Sequence, residues 1–353
     1  MTLLNCTPEN ESESLTLFVG TYTDTESEGI YKLQFDAKAG KIVDSRLAAK
    51  ITSPSYLAIN SKKDMLYAVQ EINDFEDGAG AVTAFSIAGD SLTEIQTVSS
   101  KGAHPCHVAL SPSGNQLAAA NYTGGNASIY TVAADGSLKG PTVVLDHRKI
   151  DTTKTSHAHM AQWVNNDLYI ADLGLDAILG YTDTAEQVVK QSKTVQLQAG
   201  AGPRHFTSTS NGRFLYVINE LNSSISVFER EGAMGYRSIQ NESTLAPYFK
   251  GKSYCADVHI SADGKFLYGS NRGENTIVIF SIDQESGRLA LVGRESVKGD
   301  WPRNFTLDPT GNFLLVANQN SNNICVFRRD PEKGTLTFLN EEKLPKPVCL
   351  LFL

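Results

Sequence analysis

The chain has 353 residues, of which 41% are hydrophobic and 20% charged, with a formal net charge of -8. These proportions are those of a folded globular protein, and the acidic balance excludes nucleic acid or an anionic membrane surface as the main partner. No run of about 18 apolar residues occurs, so no membrane-spanning helix is expected. The five cysteines are scattered and form no CxxC pair, which argues against a disulfide framework or a zinc site.

Residues 1–14 read as a polar tail. Leu3-Leu4-Asn5-Cys6 has the look of a lipoprotein processing stump, but the charged and apolar regions of an export signal are missing. A cytoplasmic location is expected, with a lipoprotein anchored near Cys6 as the alternative. From residue 15 to 353 one pattern recurs. It opens on a short strand, as in Pro54-Ser55-Tyr56-Leu57, His104-Pro105-Cys106-His107, Gly202-Pro203-Arg204-His205 and Trp301-Pro302-Arg303-Asn304. A Ser, Asp, Asn or Gly turn follows, such as Ser111-Pro112-Ser113-Gly114 or Ser261-Ala262-Asp263-Gly264. Then come an apolar second strand, a third such as Thr276-Ile277-Val278-Ile279-Phe280, and a weaker, more polar fourth such as Leu289-Ala290-Leu291-Val292.

The period is about 45–53 residues with four strands per unit, the signature of a β-propeller blade. Full blades are expected to start near Pro54, Pro105, Ala158, Pro203, Ala256 and Pro302. The chain opens on Leu15-Thr16-Leu17-Phe18-Val19, which resembles a second strand, and ends on Lys346-Pro347-Val348-Cys349-Leu350, which resembles a first. The two ends therefore complete a seventh blade together, and one all-β domain of seven four-stranded antiparallel blades is expected over 15–353. Only 183–191 offers an ambiguity, between a helical turn and a strand.

Antiparallel pairing puts the start of each first strand and the end of each second strand at one edge, which in a propeller is one rim of the central channel. That rim collects His104, His107, His157, His159, Arg204, His205 and Arg303, facing Tyr22, Glu71, Tyr122, Asp172, Glu220, Arg272 and Gln319. His157 and His159 are two apart on a strand and should face the same way, but no third and fourth ligands accompany them, so no metal is expected. Glu220 reads either as an acid–base group or as an ion pair stapling two strands. Arg204 and Arg272 read either as an anion grip or as donors to neighbouring carbonyls. The asparagines recurring at 121, 219, 271 and 318 read as strand-end structure. No Ser nucleophile elbow, phosphate loop or dinucleotide fingerprint is present.

On His104-Pro105-Cys106-His107, Asn121-Tyr122-Thr123-Gly124-Gly125, Ser156-His157-Ala158-His159, Gly202-Pro203-Arg204-His205, Asn219-Glu220-Leu221, Ser270-Asn271-Arg272-Gly273 and Trp301-Pro302-Arg303, the chain resembles the seven-bladed propeller lactonase family. That family contains propeller-type 6-phosphogluconolactonases and fungal carboxymuconate cyclases. The resemblance implies a site of one His, two Arg and one Glu at a channel mouth: Arg204, Arg272, Glu220 and, first, His159, with His157 second. His157, His205, Asn219 and Arg303 are the expected substrate-binding neighbours. Ser156 departs from the family's usual Pro. The implied function is hydrolysis of a sugar lactone, 6-phosphogluconolactone to 6-phosphogluconate in the pentose phosphate route. It needs no cofactor and has a small anionic lactone as its partner. The alternatives are a lactone-forming cyclase and a non-catalytic binding propeller.

Overall fold

A computed structural model describes residues 14–89, 91–184, 187–232 and 235–353. The tail expected at 1–14, with Cys6, lies outside the described residues except for Ser14. Twenty-eight strands form seven antiparallel four-stranded sheets arranged as a ring. In six of them the strands follow one another in sequence. In the seventh, blade 1, the last strand (Pro347–Phe352) pairs with the first (Ser14–Thr21), in the register Leu17↔Phe352, Phe18↔Leu351, Val19↔Leu350. Closure by the two chain ends, read from the unequal halves of the repeat, is thus what the structure shows.

The innermost strands of blades 2 to 7 are Leu57–Ile59, Pro105–Leu110, Ala158–Val164, Pro203–Ser208, Tyr254–Ile260 and Pro302–Leu307. Two starts differ from the expected ones. In blade 2 pairing begins at Leu57 and not near Pro54, after Ser53, whose φ is +44°. In blade 6 it begins two residues early, at Tyr254. The ambiguous segment falls in a hairpin, Ala177–Thr184 and Gln187–Gln196. Among the described residues the helical structure is one short 3-10 turn, His147–Lys149.

Each blade is apolar on both faces and buries them on its neighbours. Phe214, Tyr216, Ile218 and Val227 of blade 5 pack with Val258, Leu267, Val278 and Phe280 of blade 6. Phe313, Leu315 and Val326 of blade 7 pack with Leu17, Leu33, Phe35 and Leu350 of blade 1, so ring closure is made by core as well as by hydrogen bonds. Burying each such side chain contributes about 1.5–3 kcal/mol, which a lone blade would forgo. A repeated polar contact sets the spacing between blades. The hydroxyls of Tyr67, Tyr216 and Tyr268 donate to the carbonyls of Gly136, Gly287 and Gly334 on the next blade, at 3.0, 2.9 and 2.9 Å. These glycines have φ of +83°, +69° and +72°, and a Cβ on Gly287 would lie 2.3 Å from the Phe214 ring. Only glycine suits both the left-handed turn and the close approach.

Candidate active site

The rim is built by one local device used in most blades. A residue in the left-handed region precedes the inner strand, immediately at His104, Gly202, Trp301 and Lys346 and four residues ahead of it at Ser53, and each is followed by proline. Its carbonyl accepts a hydrogen bond from the N–H of the residue just past the second strand. Glu220 donates to Gly202 at 2.7 Å, Glu71 to Ser53 at 3.0 Å, Tyr122 to His104 at 2.9 Å and Gln319 to Trp301 at 3.1 Å. Four of the five left-handed residues are not glycine, and that conformation costs about 1–2 kcal/mol each.

A bulge follows. In blade 5, Pro203 pairs with Asn219 and His205 with Ile218, so Arg204 is the extra residue. His159 and Arg303 are extra in the same way in blades 4 and 7. A bulge re-aims the side chain of the unpaired residue, and these three are therefore delivered to the mouth.

Arg204, Glu220 and Arg272 meet there. Glu220 Oε2 lies 2.7 Å from Arg272 Nη2 and 3.0 Å from Arg204 Nε, although the Arg204 N–H does not point along the latter contact. Arg204 Nη1 donates to the Ala256 carbonyl, and Arg272 donates to the carbonyls of Tyr254 and Cys255 at 3.2 and 3.1 Å. Trp301 covers the Arg272 guanidinium, 5.3 Å from ring centroid to Cζ. The arginines are thus donors to neighbouring carbonyls, one of the two readings of the sequence. Carbonyls fix each guanidinium, and the fixed guanidiniums converge on one carboxylate.

The electrostatics follow from this crowding. Burial pushes the Glu220 carboxyl upward, but Arg272, Arg204 and Arg303 outweigh it and hold the group below its ordinary value, ionised. Burial and the neighbouring Arg204 bring Arg272 down to about 10. His159 is only 4% exposed and its Nδ1 has no hydrogen-bond partner. Burial first, then Arg204, His205, Arg303 and Arg272, hold this imidazole well below its usual value, so it is neutral at pH 7. A neutral, unpartnered imidazole beside an ionised Arg–Glu–Arg cluster can take a proton from a water molecule, while the guanidiniums stabilise negative charge that develops nearby.

The family model described as Lactonase, 7-bladed beta-propeller matches residues 16–352. The chain belongs to the seven-bladed β-propeller lactonase family. It is 34% identical over 301 residues to a 6-phosphogluconolactonase of Bacillus subtilis, covering 83% of this chain and 85% of that protein. To the 6-phosphogluconolactonase of Formosa agariphila it is 36% identical over 317 residues, covering 83% of this chain and 86% of that one. Among solved structures, the periplasmic gluconolactonase of Pseudomonas aeruginosa superposes with a TM-score of 0.90 at 34% identity, covering 96% of this chain and 99% of that one.

The remaining sequence candidates take three places in this lactonase-family propeller. His157 and His159 do not face one way as a plain strand would have them. His157 stands before the strand and stacks on the face of Tyr122 (4.5 Å, 18°), while the bulged His159 meets the edge of the same ring (5.5 Å, 78°). His205 lies one layer deeper, its Nδ1 2.8 Å from Asp257 Oδ1 and its ring 5.2 Å from that of His159. Asn219 is turned into the blade, because it neighbours Glu220 on an alternating strand. Its amide donates to the hydroxyls of Ser224 and Ser226, both at 2.9 Å. Arg303 is at the mouth on blade 7, next to the blade that carries Arg272, and pairs with Glu71 of blade 2. Among the described residues no three His, Cys, Asp or Glu side chains are grouped to hold a metal ion.

Two groups escaped sequence reasoning as partners. Tyr22 and Glu71 join Arg303 from blades distant in sequence, and nothing local signals that. His147, set apart because it lies in no inner strand, is fully buried, its Nδ1 2.8 Å from Asp172 and its Nε2 3.0 Å from the Tyr181 hydroxyl. A signal existed here: Asp172 stands where other blades have Asn.

Proposed function

We propose that this chain hydrolyses a sugar lactone, with 6-phosphogluconolactone as substrate and 6-phosphogluconate as product. The observation that carries the reading is Glu220 held between two backbone-anchored arginines beside the unpartnered Nδ1 of His159, at one mouth of the channel. His159 Nδ1 accepts a proton from water as its oxygen attacks the lactone carbonyl. Arg204 and Arg272 stabilise the oxyanion. As the intermediate collapses, the ring C–O bond breaks and the His159 imidazolium returns its proton to the departing ring oxygen. The product carboxylic acid then ionises. Glu220 keeps both guanidiniums in place. An anionic substrate offsets the guanidinium field that depresses the His159 imidazole, so binding raises the basicity the attack requires. The relatives named 6-phosphogluconolactonase support this substrate. The reaction then serves carbohydrate metabolism in the pentose phosphate route. Four buried free thiols, Cys106, Cys255, Cys325 and Cys349, suit a reducing cytoplasm.

The likeness to a periplasmic gluconolactonase favours one second reading, an unphosphorylated lactone handled by the same groups. The test is hydrolysis of both lactones by purified protein against their spontaneous decay. Acceleration of the phosphorylated lactone is expected. Decay of both at the spontaneous rate removes the proposal.

A further inference from the structure

The mouth has a second charged group, contributed by blades 7, 2 and 1. Arg303, the bulged residue of blade 7, occupies the position that Arg204 has in blade 5. Glu71 occupies in blade 2 the position of Glu220, directly past the second strand and clamped through its N–H to the residue before the inner strand. Tyr22 does the same in blade 1. Arg303 Nη2 lies 3.4 Å from Glu71 Oε2, and the Tyr22 hydroxyl donates to that same oxygen at 2.8 Å. The Arg303 guanidinium sits over the Tyr22 ring, 5.2 Å from its centroid, which fixes its plane. The Arg303 and Glu71 side chains are 14% and 15% exposed, so this is a built, partly desolvated pair.

The two charged groups differ in what they leave free. Arg204 and Arg272 spend N–H groups on backbone carbonyls. Among the described residues Arg303 hydrogen-bonds through Nη2 alone, which leaves Nε and Nη1 as donors. A guanidinium held on one side by a carboxylate and stacked on a phenol offers its other edge in the fork geometry that suits a phosphate. The count of charges at the mouth agrees. Arg204, Arg272 and Arg303 face Glu220 and Glu71, leaving one positive charge for an anion to neutralise. Arg303 is close enough to act electrostatically on both Glu220 and His159.

We infer that Arg303, positioned by Glu71 and Tyr22, is a phosphate subsite that grips the end of the lactone remote from its carbonyl and sets the preference for phosphorylated substrates. This rests on the lactonase reading and adds to it a residue that selects between the two lactones.

The test is the ratio of kcat/KM for 6-phosphogluconolactone over gluconolactone, in wild type and in Arg303→Met, Arg303→Lys and Glu71→Gln. The ratio should fall about 30-fold in Arg303→Met and less in Arg303→Lys, which keeps the charge but loses the fork. In Glu71→Gln the loss should appear in KM for the phosphorylated lactone and leave kcat nearly unmoved, because Glu71 orients Arg303 and touches no reacting atom. Calorimetric titration with 6-phosphogluconate and with gluconate reads the same site without turnover. The phosphorylated acid should bind at least tenfold tighter to wild type, and the difference should vanish in Arg303→Met. An unchanged ratio and an unchanged binding difference in Arg303→Met overturn the subsite while leaving lactone hydrolysis intact. A wild type inert towards both lactones overturns the hydrolysis reading, and the calorimetric difference then still decides the subsite. If Arg303→Met does not fold, the lysine variant carries both measurements.

Discussion

Two neighbouring positions in four of the seven blades have opposite fates. Asn121, Asn219, Asn271 and Asn318 stand at or next to the end of the second strand, and all four are fully buried. Their amides tie strand ends and loops together, as where Asn121 Nδ2 donates to the Ser100 carbonyl and to Asn126 Oδ1, both at 2.9 Å. The residue that follows differs each time, Tyr122, Glu220, Arg272 and Gln319, and turns to the channel mouth. A strand sends successive side chains to opposite sides. One position can therefore repeat because it holds the frame, while the next is free to diverge because it faces the channel mouth. Constancy across blades marks architecture, and divergence marks chemistry.

The harshest way to break this comparison is to open the ring that holds both positions. Removing residues 348–353 strips most of the strand that pairs with Ser14–Thr21 and should abolish the cooperative thermal transition. A sharp transition near the full-length Tm would show that closure is not structural. Next in size, Glu220→Gln should lower kcat by about 100-fold while circular dichroism keeps its native form, since the amide can still hydrogen-bond to Arg272. A rate within threefold of wild type would remove Glu220 from the site. In the constant position the pattern should invert. Asn121→Ala leaves buried partners unsatisfied and should cost about 1–3 kcal/mol of stability, read as a Tm lowered by a few degrees, with kcat within twofold.

The smallest effect concerns pH. Burial holds His107, His159 and His205 below their ordinary value, His205 at about 4. Between that value and about 6.5 the unfolded chain binds more protons than the native one, so the stability these three contribute is present above pH 6.5 and lost as pH falls. His259 opposes them. Burial lowers it, but Asp257 outweighs burial and raises it, so its share is full below about 6.5 and lost as pH rises through its native value. Three against one, Tm should decline by several degrees from pH 7 to pH 5. Replacing His107 by Phe should flatten that decline. A Tm independent of pH over this range would mean that the channel histidines are not buried and neutral.

Much of this was legible in the residues. Turn chemistry and strand alternation are local, so four strands per blade could be counted. The unlike chain ends, a second strand first and a first strand last, told how the ring closes. Arg204 and Glu220 were readable as neighbours because they sit at the two ends of one hairpin. The bulges were not readable. They show only in the pairing register, as at His159 in blade 4 and between Cys255 and Val258 in blade 6, where no left-handed residue stands before the strand.

The sequence by itself determined the repeat, the number of blades and which residues line one rim, because each follows from short-range pattern and antiparallel pairing. Only the tertiary structure decided which rim residues face one another. Arg303 with Glu71 is a contact across 232 positions of sequence. His205 meets Asp257 of the next blade at 2.8 Å, a contact that no hairpin makes by itself. Such meetings depend on how seven blades close around an axis, a property that no single blade carries.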